Sequence, residues 1–285
     1  MPTPAVSFEF FPPRDIPASF ALWEAAQALM PFAPRHVSVT YGAGGTTRAL
    51  THETVTALSR QGAQVAAHLT CIDASREETM EIARAYRAEG VRDIVALRGD
   101  APGGGAFTPH ADGFTSSVEL IGALAADGFN VQVGAYPEPH PETRGARADL
   151  EWLRAKFQAG AKQAVTQFFF EAETFLRFRD ACADAGISAP IVPGILPIHK
   201  WASAAKFAQR CGTTIPTALA DAFETAERDG RTDLLALAHG TELCSKLVEE
   251  GVEQLHFYTL NRPDLTRDIC RALGIPRQEP LRDVA

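Results

Sequence analysis

The sequence predicts a (β/α)8 barrel, in which eight parallel strands form a closed ring and a helix follows each strand. Eight β-rich runs recur along the 285 residues, mostly about thirty residues apart, which is the length of one strand–helix unit. Helical patterns fill the stretches between the runs. This alternation is typical of a (β/α)8 barrel. A doubly wound open sheet is the alternative, but no G-x-G-x-x-G follows the first run.

Each run is expected to form one strand of the barrel. In chain order the runs are VSFEFF (6–11), HVSVTYG (36–42), QVAAHLTC (64–71), DIVALRG (93–99), NVQVGAYP (130–137), QAVTQFFF (163–170), IVPGILP (191–197) and QLHFYTLN (254–261). The aromatic triplet that ends the sixth run is interpreted as part of the core rather than as a cofactor site.

The helices carry start and stop signals. SREETMEIARAYRAEG and TSSVELIGALAADG each begin with a Ser followed three residues later by a Glu, the spacing of a capping box. The pairs are Ser75 with Glu78 and Ser116 with Glu119. Several helical stretches stop at a glycine, which takes the left-handed position after a helix at little cost. These glycines are Gly62, Gly90, Gly128, Gly160, Gly186 and Gly251.

The interval before the eighth run is about twice the usual length for a strand–helix unit. Its pattern predicts extra helices near 201–211, 217–228 and 232–250. No linker or low-complexity segment divides the chain. We therefore expect a single barrel domain over residues 1–275, followed by a loose tail over 276–285.

Composition limits the class of protein. The net charge is −8 and no dense Lys/Arg run is present, which argues against a general nucleic-acid binder. The N-terminus lacks the pattern of a signal peptide, and no apolar run approaches the roughly 20 residues of a membrane span. The five cysteines include no C-x-x-C pair, so neither a disulfide framework nor a zinc site is expected. These features predict a soluble, cytoplasmic protein without a membrane partner.

Polar residues collect at the carboxyl ends of seven of the eight runs. In a (β/α)8 barrel these ends meet at one mouth, where active sites are built. The run ends therefore predict a functional site assembled from many parts of the chain. The residues are Glu9, Thr40 to Gly45, His68, Thr70, Arg98 to Asp100, Tyr136, His140, Gln167, Asn261 and Arg262.

Glu9 is a carboxylic acid within an aromatic strand. Alternation along the strand places Ser7, Glu9 and Phe11 on one face. Desolvation among aromatic neighbours would raise the pKa of Glu9 and suit it to general acid work near neutral pH. The equally open alternative is a structural ion pair between Glu9 and a buried Arg or Lys.

Two further segments could bind an anion. GAGGTTR (42–48) could form a glycine-rich cradle ahead of a helix, or a simple tight connection. Arg98 could bind a diphosphate together with the following loop amides, or it could pair with Asp100. His68 and His140 lack the spacing of metal ligands, so we assign no metal site.

Taken together, these segments resemble methylenetetrahydrofolate reductase in its short bacterial form, which consists of the catalytic domain. The matching motifs run in order over nearly the whole chain, and the ordered set is more specific than any one of them. They are SFEFFPPR (7–14), VSVTYGAGG (37–45), AHLTCID (67–73), DIVALRGD (93–100), GAYPEPHPE (134–142), TQFFFEAETFLRFRD (166–180), PGILPI (193–198) and HFYTLNR (256–262).

The resemblance implies a (β/α)8 barrel with noncovalently bound FAD. It implies reduction of 5,10-methylenetetrahydrofolate to 5-methyltetrahydrofolate, the methyl donor for methionine synthesis, with NADH or NADPH as the hydride source. The two substrates would use the same face of the flavin in turn, which gives ping-pong kinetics. A homodimer or homotetramer is implied, and inhibition by S-adenosylmethionine is not expected.

The resemblance also implies roles for individual residues. Glu9 matches the general acid, and Asp100 matches the aspartate near the flavin and the pterin. Gln167, Phe207 and Arg262 match folate contacts, while Ser203 stands where a substrate-binding Gln falls in the family. The implied FAD contacts are Thr40, Tyr41, Ala43, His68, Arg98, Gly99, Asp100, Tyr136, His140, Asp149 and Lys156.

Two other classes of function remain as alternatives. A flavin-free barrel enzyme, such as an aldolase or an isomerase, would need a Schiff-base lysine or a phosphate loop late in the barrel, and PGILP and HFYTLN offer neither. A non-catalytic partner subunit would be favoured by loss of Glu9, Asp100 or Gln167, and all three are present.

Overall fold

The structure is a computed structural model that describes residues 3–41, 48–99, 107–140, 142 and 145–278. Over these residues, nine strands, all paired in parallel, form one sheet in the order β7-β6-β5-β4-β3-β2-β1-β9-β8. The sheet curls into a nearly closed barrel with flanking helices. The (β/α)8 prediction is confirmed, and the open-sheet alternative is wrong.

The strands lie within the eight predicted runs, with one residue of offset at the first. They are β1 Ala5–Phe10, β2 Val37–Val39, β3 Val65–Thr70, β4 Asp93–Leu97, β5 Asn130–Ala135, β6 Gln163–Thr166, β7 Ile191–Val192, β8 Gly194–Ile195 and β9 Gln254–Tyr258. The sixth run is only half strand, because β6 ends before the aromatic triplet 168–170. All three of those phenylalanines are buried, as the sequence predicted.

The seventh predicted strand is divided into β7 and β8 by Pro193, which has no N–H for the sheet. β7 pairs with β6, whereas β8 pairs with β9. The divided strand therefore joins the two ends of the curled sheet. Gly194 is required at this seam because a Cβ there would lie 2.1 Å from Thr166 O. The Tyr258 hydroxyl also crosses the seam and donates to Thr166 O at 2.7 Å.

The helices cover the outside of the barrel, and the extra helices before the last strand are confirmed. The six glycines predicted to stop helices all have positive φ. The helices are α1 Ile16–Leu29, α2 Arg48–Arg60, α3 Arg76–Ala88, α4 Ser117–Ala126, α5 Ala146–Gln158, α6 Ala172–Asp184, α7 Trp201–Cys211, α8 Thr217–Arg228, α9 Thr232–Glu249 and α10 Pro263–Ala272, with a short 3-10 helix at Met30–Phe32.

One of the two predicted capping boxes is complete. Ser75 accepts from Glu78 N while the Glu78 carboxylate accepts from Ser75 N. At α4, Ser116 caps the helix as predicted, but the return hydrogen bond is absent among the described residues. The Glu119 carboxylate instead accepts from Thr115 N and contacts Arg76. The ion pair with Arg76 gives Glu119 a second partner and draws it away from the capping position.

Two apolar clusters hold the fold together. The larger cluster joins the outward faces of the strands, such as Val6, Phe8 and Phe10, to the surrounding helices. The smaller cluster joins the aromatic triplet to α7, α8 and α9, where Trp201 stacks on Phe223 with 4.7 Å between ring centroids. No described helix is long and apolar enough to cross a membrane.

The inside of the barrel is unusually polar. Barrel interiors are commonly filled by Val, Ile and Leu, but here many buried strand residues carry hydroxyl, imidazole or amide groups. They include Ser7, His36, Ser38, His68, Thr70, Gln132, Gln254 and His256. Burial of so many polar groups costs free energy unless they are hydrogen-bonded or used for function. The barrel interior is therefore the expected location of a functional site.

Candidate functional site

Glu9 lies at the carboxyl end of β1 between two histidines from distant strands. His68 on β3 places Nε2 3.3 Å from Glu9 Oε2, and His256 on β9 places Nε2 3.8 Å from the same oxygen. The side chain of Glu9 is 15% exposed, whereas those of His68 and His256 are 9% and 3% exposed. The site is therefore a carboxyl group held between two imidazoles near the mouth of the barrel.

This environment changes the expected acidity of Glu9. Burial raises the pKa of the Glu9 carboxyl, but hydrogen bonds and charge from His256 and His68 outweigh burial and lower the pKa to about 2. The expectation that aromatic neighbours would raise the pKa of Glu9 is thus corrected. The alternative of an ion pair with a buried Arg or Lys is also replaced, since the described partners are histidines.

His256 is a site residue that the sequence analysis did not identify. Its Nδ1 lies 2.8 Å from Ser7 Oγ, which fixes the ring so that Nε2 faces Glu9. Strand pairing places Ser7 opposite His256 and Glu9 opposite Tyr258. Alternation in VSFEFF places Ser7 on the same face as Glu9, but no sequence pattern indicates the register between β1 and β9.

His36 lies behind this cluster, and its environment predicts that the folded protein is less stable in acid. Its ring stacks on His256 with 6.1 Å between centroids, and its Nε2 is buried without a hydrogen-bond partner among the described residues. Burial lowers the pKa of His36 from 6.5 to about 3, with smaller contributions from His256, Arg35 and His68. The folded protein therefore resists protonation at a position where the unfolded chain accepts a proton readily.

We expect the free energy of unfolding to decrease as the pH falls from 6.5 towards about 3, because only the unfolded chain then binds a proton at His36. One proton corresponds to a slope of at most about 1.4 kcal/mol per pH unit. His36→Leu should reduce this slope in urea unfolding across that range. Protonation of Glu9 in the unfolded chain also lowers the free energy of unfolding as the pH falls, but only between pH 4.5 and about pH 2. Identical slopes for the two proteins would contradict the prediction.

A second polar cluster surrounds the segment between β5 and α5. The buried Lys156 ammonium donates to Gly134 O at 2.7 Å and lies 5.9 Å from the centre of the Tyr136 ring. Tyr136 contacts His140 edge-on at 4.6 Å, and Asp149 Oδ2 accepts from His140 N at 3.1 Å. Four residues that the resemblance assigns to FAD are thus in one group.

Lys156 places a cationic group in a buried position. Burial lowers the pKa of its ammonium to about 8; the Asp149 carboxylate opposes this shift and Arg98 adds to it. A lysine ammonium has three N–H donors, so the bond to Gly134 O leaves capacity for an anionic ligand. Binding a negative group next to Lys156 would also favour its charged form.

Arg98 and Gly99 follow β4 at the mouth. Arg98 pairs with Glu142 and lies 5.3 Å from the centre of the Phe107 ring. Gly99 has φ +87°, and a Cβ there would lie 2.7 Å from Ile72 Cγ2 and 2.9 Å from Thr70 Cβ. Glycine is therefore required for this close approach. Ala43 and Asp100 lie outside the described residues, so the predictions for them remain predictions.

The remaining assigned residues lie on two further sides of the mouth. Gln167 follows β6, and its Oε1 accepts from Phe168 N at 3.0 Å. Phe207 on α7 is 36% exposed and rests on Phe168 with 5.0 Å between ring centroids. Thr40 and Arg262 line one cavity beside β1, and Tyr41 is half-buried next to Thr40. The described site residues thus fall into a few groups around the mouth.

Comparison with known proteins gives consistent matches. The family model described as "Methylenetetrahydrofolate reductase" matches residues 2–274. The chain is 45% identical over 275 residues to the 5,10-methylenetetrahydrofolate reductase of Salmonella typhimurium, covering 95% of this chain and 90% of that protein. It is 44% identical over 272 residues to the Escherichia coli protein of the same name, with coverages of 95% and 90%.

A solved structure supports the fold independently. The chain is similar to an uncharacterized protein from Clostridium thermocellum that binds two copies of 5-methyl-5,6,7,8-tetrahydrofolic acid. The TM-score is 0.61 at 12% sequence identity, and the match covers 96% of each chain. At this identity the likeness concerns the fold of the chain alone.

Proposed function

Because the chain belongs to the methylenetetrahydrofolate reductase family, we propose that it reduces 5,10-methylenetetrahydrofolate to 5-methyltetrahydrofolate with FAD as cofactor and NADH or NADPH as hydride donor. The observation that carries this proposal within the structure is Glu9, held between His68 and His256 near the barrel mouth. The product would supply methyl groups for methionine synthesis. We also infer a homodimer or homotetramer in the cytoplasm.

The residues present fit FAD. Lys156 and Arg98 provide cationic groups suited to a diphosphate. Gly99 brings backbone close to the mouth, and next to it the buried Thr70 Oγ1 has no hydrogen-bond partner among the described residues. When bound, FAD supplies the capacity to accept a hydride from the nicotinamide and to donate it to the folate methylene carbon.

The role of Glu9 concerns the folate. Protonation of a folate nitrogen opens the five-membered ring to an electrophilic iminium ion, whose methylene carbon then accepts the hydride as the methyl group forms. We infer that Glu9 delivers this proton. Since its pKa is lowered to about 2, the carboxyl does not hold the proton by itself at neutral pH.

The neighbouring imidazoles are the inferred source of the proton that the Glu9 carboxylate does not hold. Nε2 of His68 lies 3.3 Å from Glu9 Oε2, and Nε2 of His256 lies 3.8 Å from the same oxygen. We infer that Glu9 passes a proton from this pair of imidazoles to the folate. Ser7 orients His256 through Nδ1, which keeps Nε2 directed at the carboxylate.

The variant His256→Gln tests whether the imidazole on β9 supplies a proton to Glu9. Glutamine keeps a polar group but cannot carry the proton, so folate reduction should slow by about 10- to 100-fold, less than for loss of the acid itself. Oxidation of NADH or NADPH by the FAD-loaded variant should be unaffected, and the pH dependence of the folate step should change. Ser7→Ala, which keeps the imidazole, should have a smaller effect. A folate step with wild-type rate and pH profile would exclude the role of His256.

The proposed function is tested by product analysis. Purified protein loaded with FAD is incubated with methylenetetrahydrofolate and either NADH or NADPH, and 5-methyltetrahydrofolate is identified by mass spectrometry. Formation of the methyl product with one of the nucleotides supports the proposal and identifies the donor. Absence of product with both nucleotides, from protein shown to be folded, would reject it.

A further inference from the structure

Helix α7 crosses one side of the barrel mouth and carries Phe207, which the family resemblance implies as a folate contact. The helix follows β8, and its buried residues Trp201, Ala204 and Ala208 pack on the aromatic triplet that follows β6. Phe207 is partly exposed, and its ring centroid lies 5.0 Å from that of Phe168. The position of Phe207 therefore depends on how the two ends of α7 are held.

Packing holds the beginning of α7 more firmly than its end. The ring of Trp201 lies 4.7 Å from that of Phe223 and 6.0 Å from that of Phe170. The last buried side chain of the helix is Ala208, which offers only a methyl group for packing. The helix then ends at Gly212, which has a left-handed φ of 72°. The end of α7 therefore needs support from outside the helix.

Hydrogen bonds from the segment after α7 supply this support. Thr213 Oγ1 donates to Phe168 O at 3.3 Å in a buried position. Thr214 N donates to the Glu138 carboxylate, whose two oxygens lie 3.0 Å and 3.2 Å away. Glu138 belongs to the segment between β5 and α5, so the carboxylate ties the end of α7 to a different side of the mouth.

The segment that presents Glu138 is itself restricted. Pro137 and Pro139 flank Glu138, which limits the backbone on both sides of it. His140 N donates to Asp149 Oδ2 at 3.1 Å, which fixes the segment to the first turn of α5. A hydrogen bond between a carboxylate and a backbone N–H is roughly twice as strong as a neutral one. Glu138 is thus a charged acceptor on a firm support, aimed at the end of α7.

We propose that Glu138 is a positioning residue for the folate: by holding Thr214 it fixes the end of α7 and thereby presents Phe207 to the substrate. The inference rests on the proposed function and adds a residue that acts through another side chain. Without the carboxylate, α7 keeps the packing of Trp201 and the hydrogen bond of Thr213, so the fold survives. The end of the helix gains freedom, and substrate binding must then order Phe207 at an additional entropic cost.

The test measures binding of 5-methyltetrahydrofolate to the FAD-loaded protein by calorimetry. Glu138→Ala should weaken folate binding about 3- to 10-fold and leave the affinity for FAD unchanged. Glu138→Gln keeps an acceptor oxygen without the charge, so it should restore part of the loss. The matched control is Glu173→Gln, since Glu173 links α6 to Lys246 on α9 outside the mouth, and it should bind the folate as the wild type does.

Two further measurements separate positioning from a merely structural role. Because Glu138 acts through Phe207, adding Glu138→Ala to Phe207→Ala should cause no additional loss of folate affinity, whereas independent effects would add. Hydrogen exchange of the backbone amides at 208–214 should be about 3- to 10-fold faster in Glu138→Ala, while the amides of α6 keep their rates. The exchange measurement requires no folate, so it reads the hold on α7 independently of the proposed function.

The outcomes separate the inference from the proposed function. Unchanged folate affinity or unchanged exchange at 208–214 in Glu138→Ala would overturn the inference, as would losses that add in the double variant. Weaker binding of FAD with normal binding of the folate would assign Glu138 to the flavin side of the mouth and also overturn it. Failure of the FAD-loaded wild type to bind the folate would reject the proposed function itself.

Discussion

Glu9→Gln should slow reduction of methylenetetrahydrofolate by about 10²- to 10⁴-fold, the usual contribution of a positioned general acid. Glutamine has nearly the same shape as glutamate, but it cannot transfer a proton from His68 or His256 to the folate. The oxidation of NADH or NADPH requires no proton delivery to the folate, so that half-reaction should keep its rate. The two half-reactions are measured separately by anaerobic rapid mixing.

The matched control for this variant is Glu89→Gln. Glu89 pairs with Arg60 at the end of α3, on a helix outside the barrel, and its loss should leave both half-reactions unchanged. If Glu9→Gln turned over the folate at the wild-type rate, the assignment of Glu9 as the acid would be wrong. If both half-reactions failed together, Glu9 would be required for the integrity of the site rather than for proton delivery.

Gly194→Ala should destabilise the barrel by about 3 kcal/mol or more, at the upper end of the cost of overpacking. The new Cβ would meet Thr166 O at 2.1 Å and Tyr258 Cε2 at 2.6 Å, and Thr166 O belongs to the backbone of a neighbouring strand. Relief of the clash would require β6 and β8 to separate where the sheet closes. Thermal unfolding should shift downward by about 6 °C or more.

The control for the seam is Gly122→Ala. Gly122 lies within α4, and a Cβ there has no heavy atom within 4 Å. Alanine is favoured over glycine in a helix by about 1 kcal/mol, so this variant should be as stable as the wild type or more stable. Comparable melting temperatures for Gly194→Ala and the wild type would contradict the description of the seam as a closely packed junction.

The fold was predictable because its signals are local. The strand–helix units are marked in the sequence by an apolar run, a capping residue or a terminal glycine, as at Ser75 and Gly90. The extra helices before β9 show the same helical periodicity of apolar residues. The division of the seventh strand was missed because IVPGILP is apolar throughout. Pro193 interrupts the strand only in the context of the sheet, where β7 and β8 pair with different neighbours.

The site was predictable as a location but not as a set of contacts. The polar ends of the runs indicated the mouth of the barrel, and the described residues among them lie there. The partners of Glu9 come from β3 and β9, and their approach depends on barrel closure and strand register, which a sequence pattern does not contain. For this reason the aromatic neighbours in the sequence suggested a raised pKa, whereas His68 and His256 lower it.

The most direct test of the central claim is the visible spectrum of the FAD-loaded protein during anaerobic additions. NADH or NADPH, added separately, should bleach the flavin absorbance, and methylenetetrahydrofolate should then restore it. In Glu9→Gln the bleaching should persist and the recovery should be slow. A protein that binds no FAD, or a bound flavin that neither nucleotide bleaches, would contradict the assignment of this barrel as a flavin-dependent folate reductase.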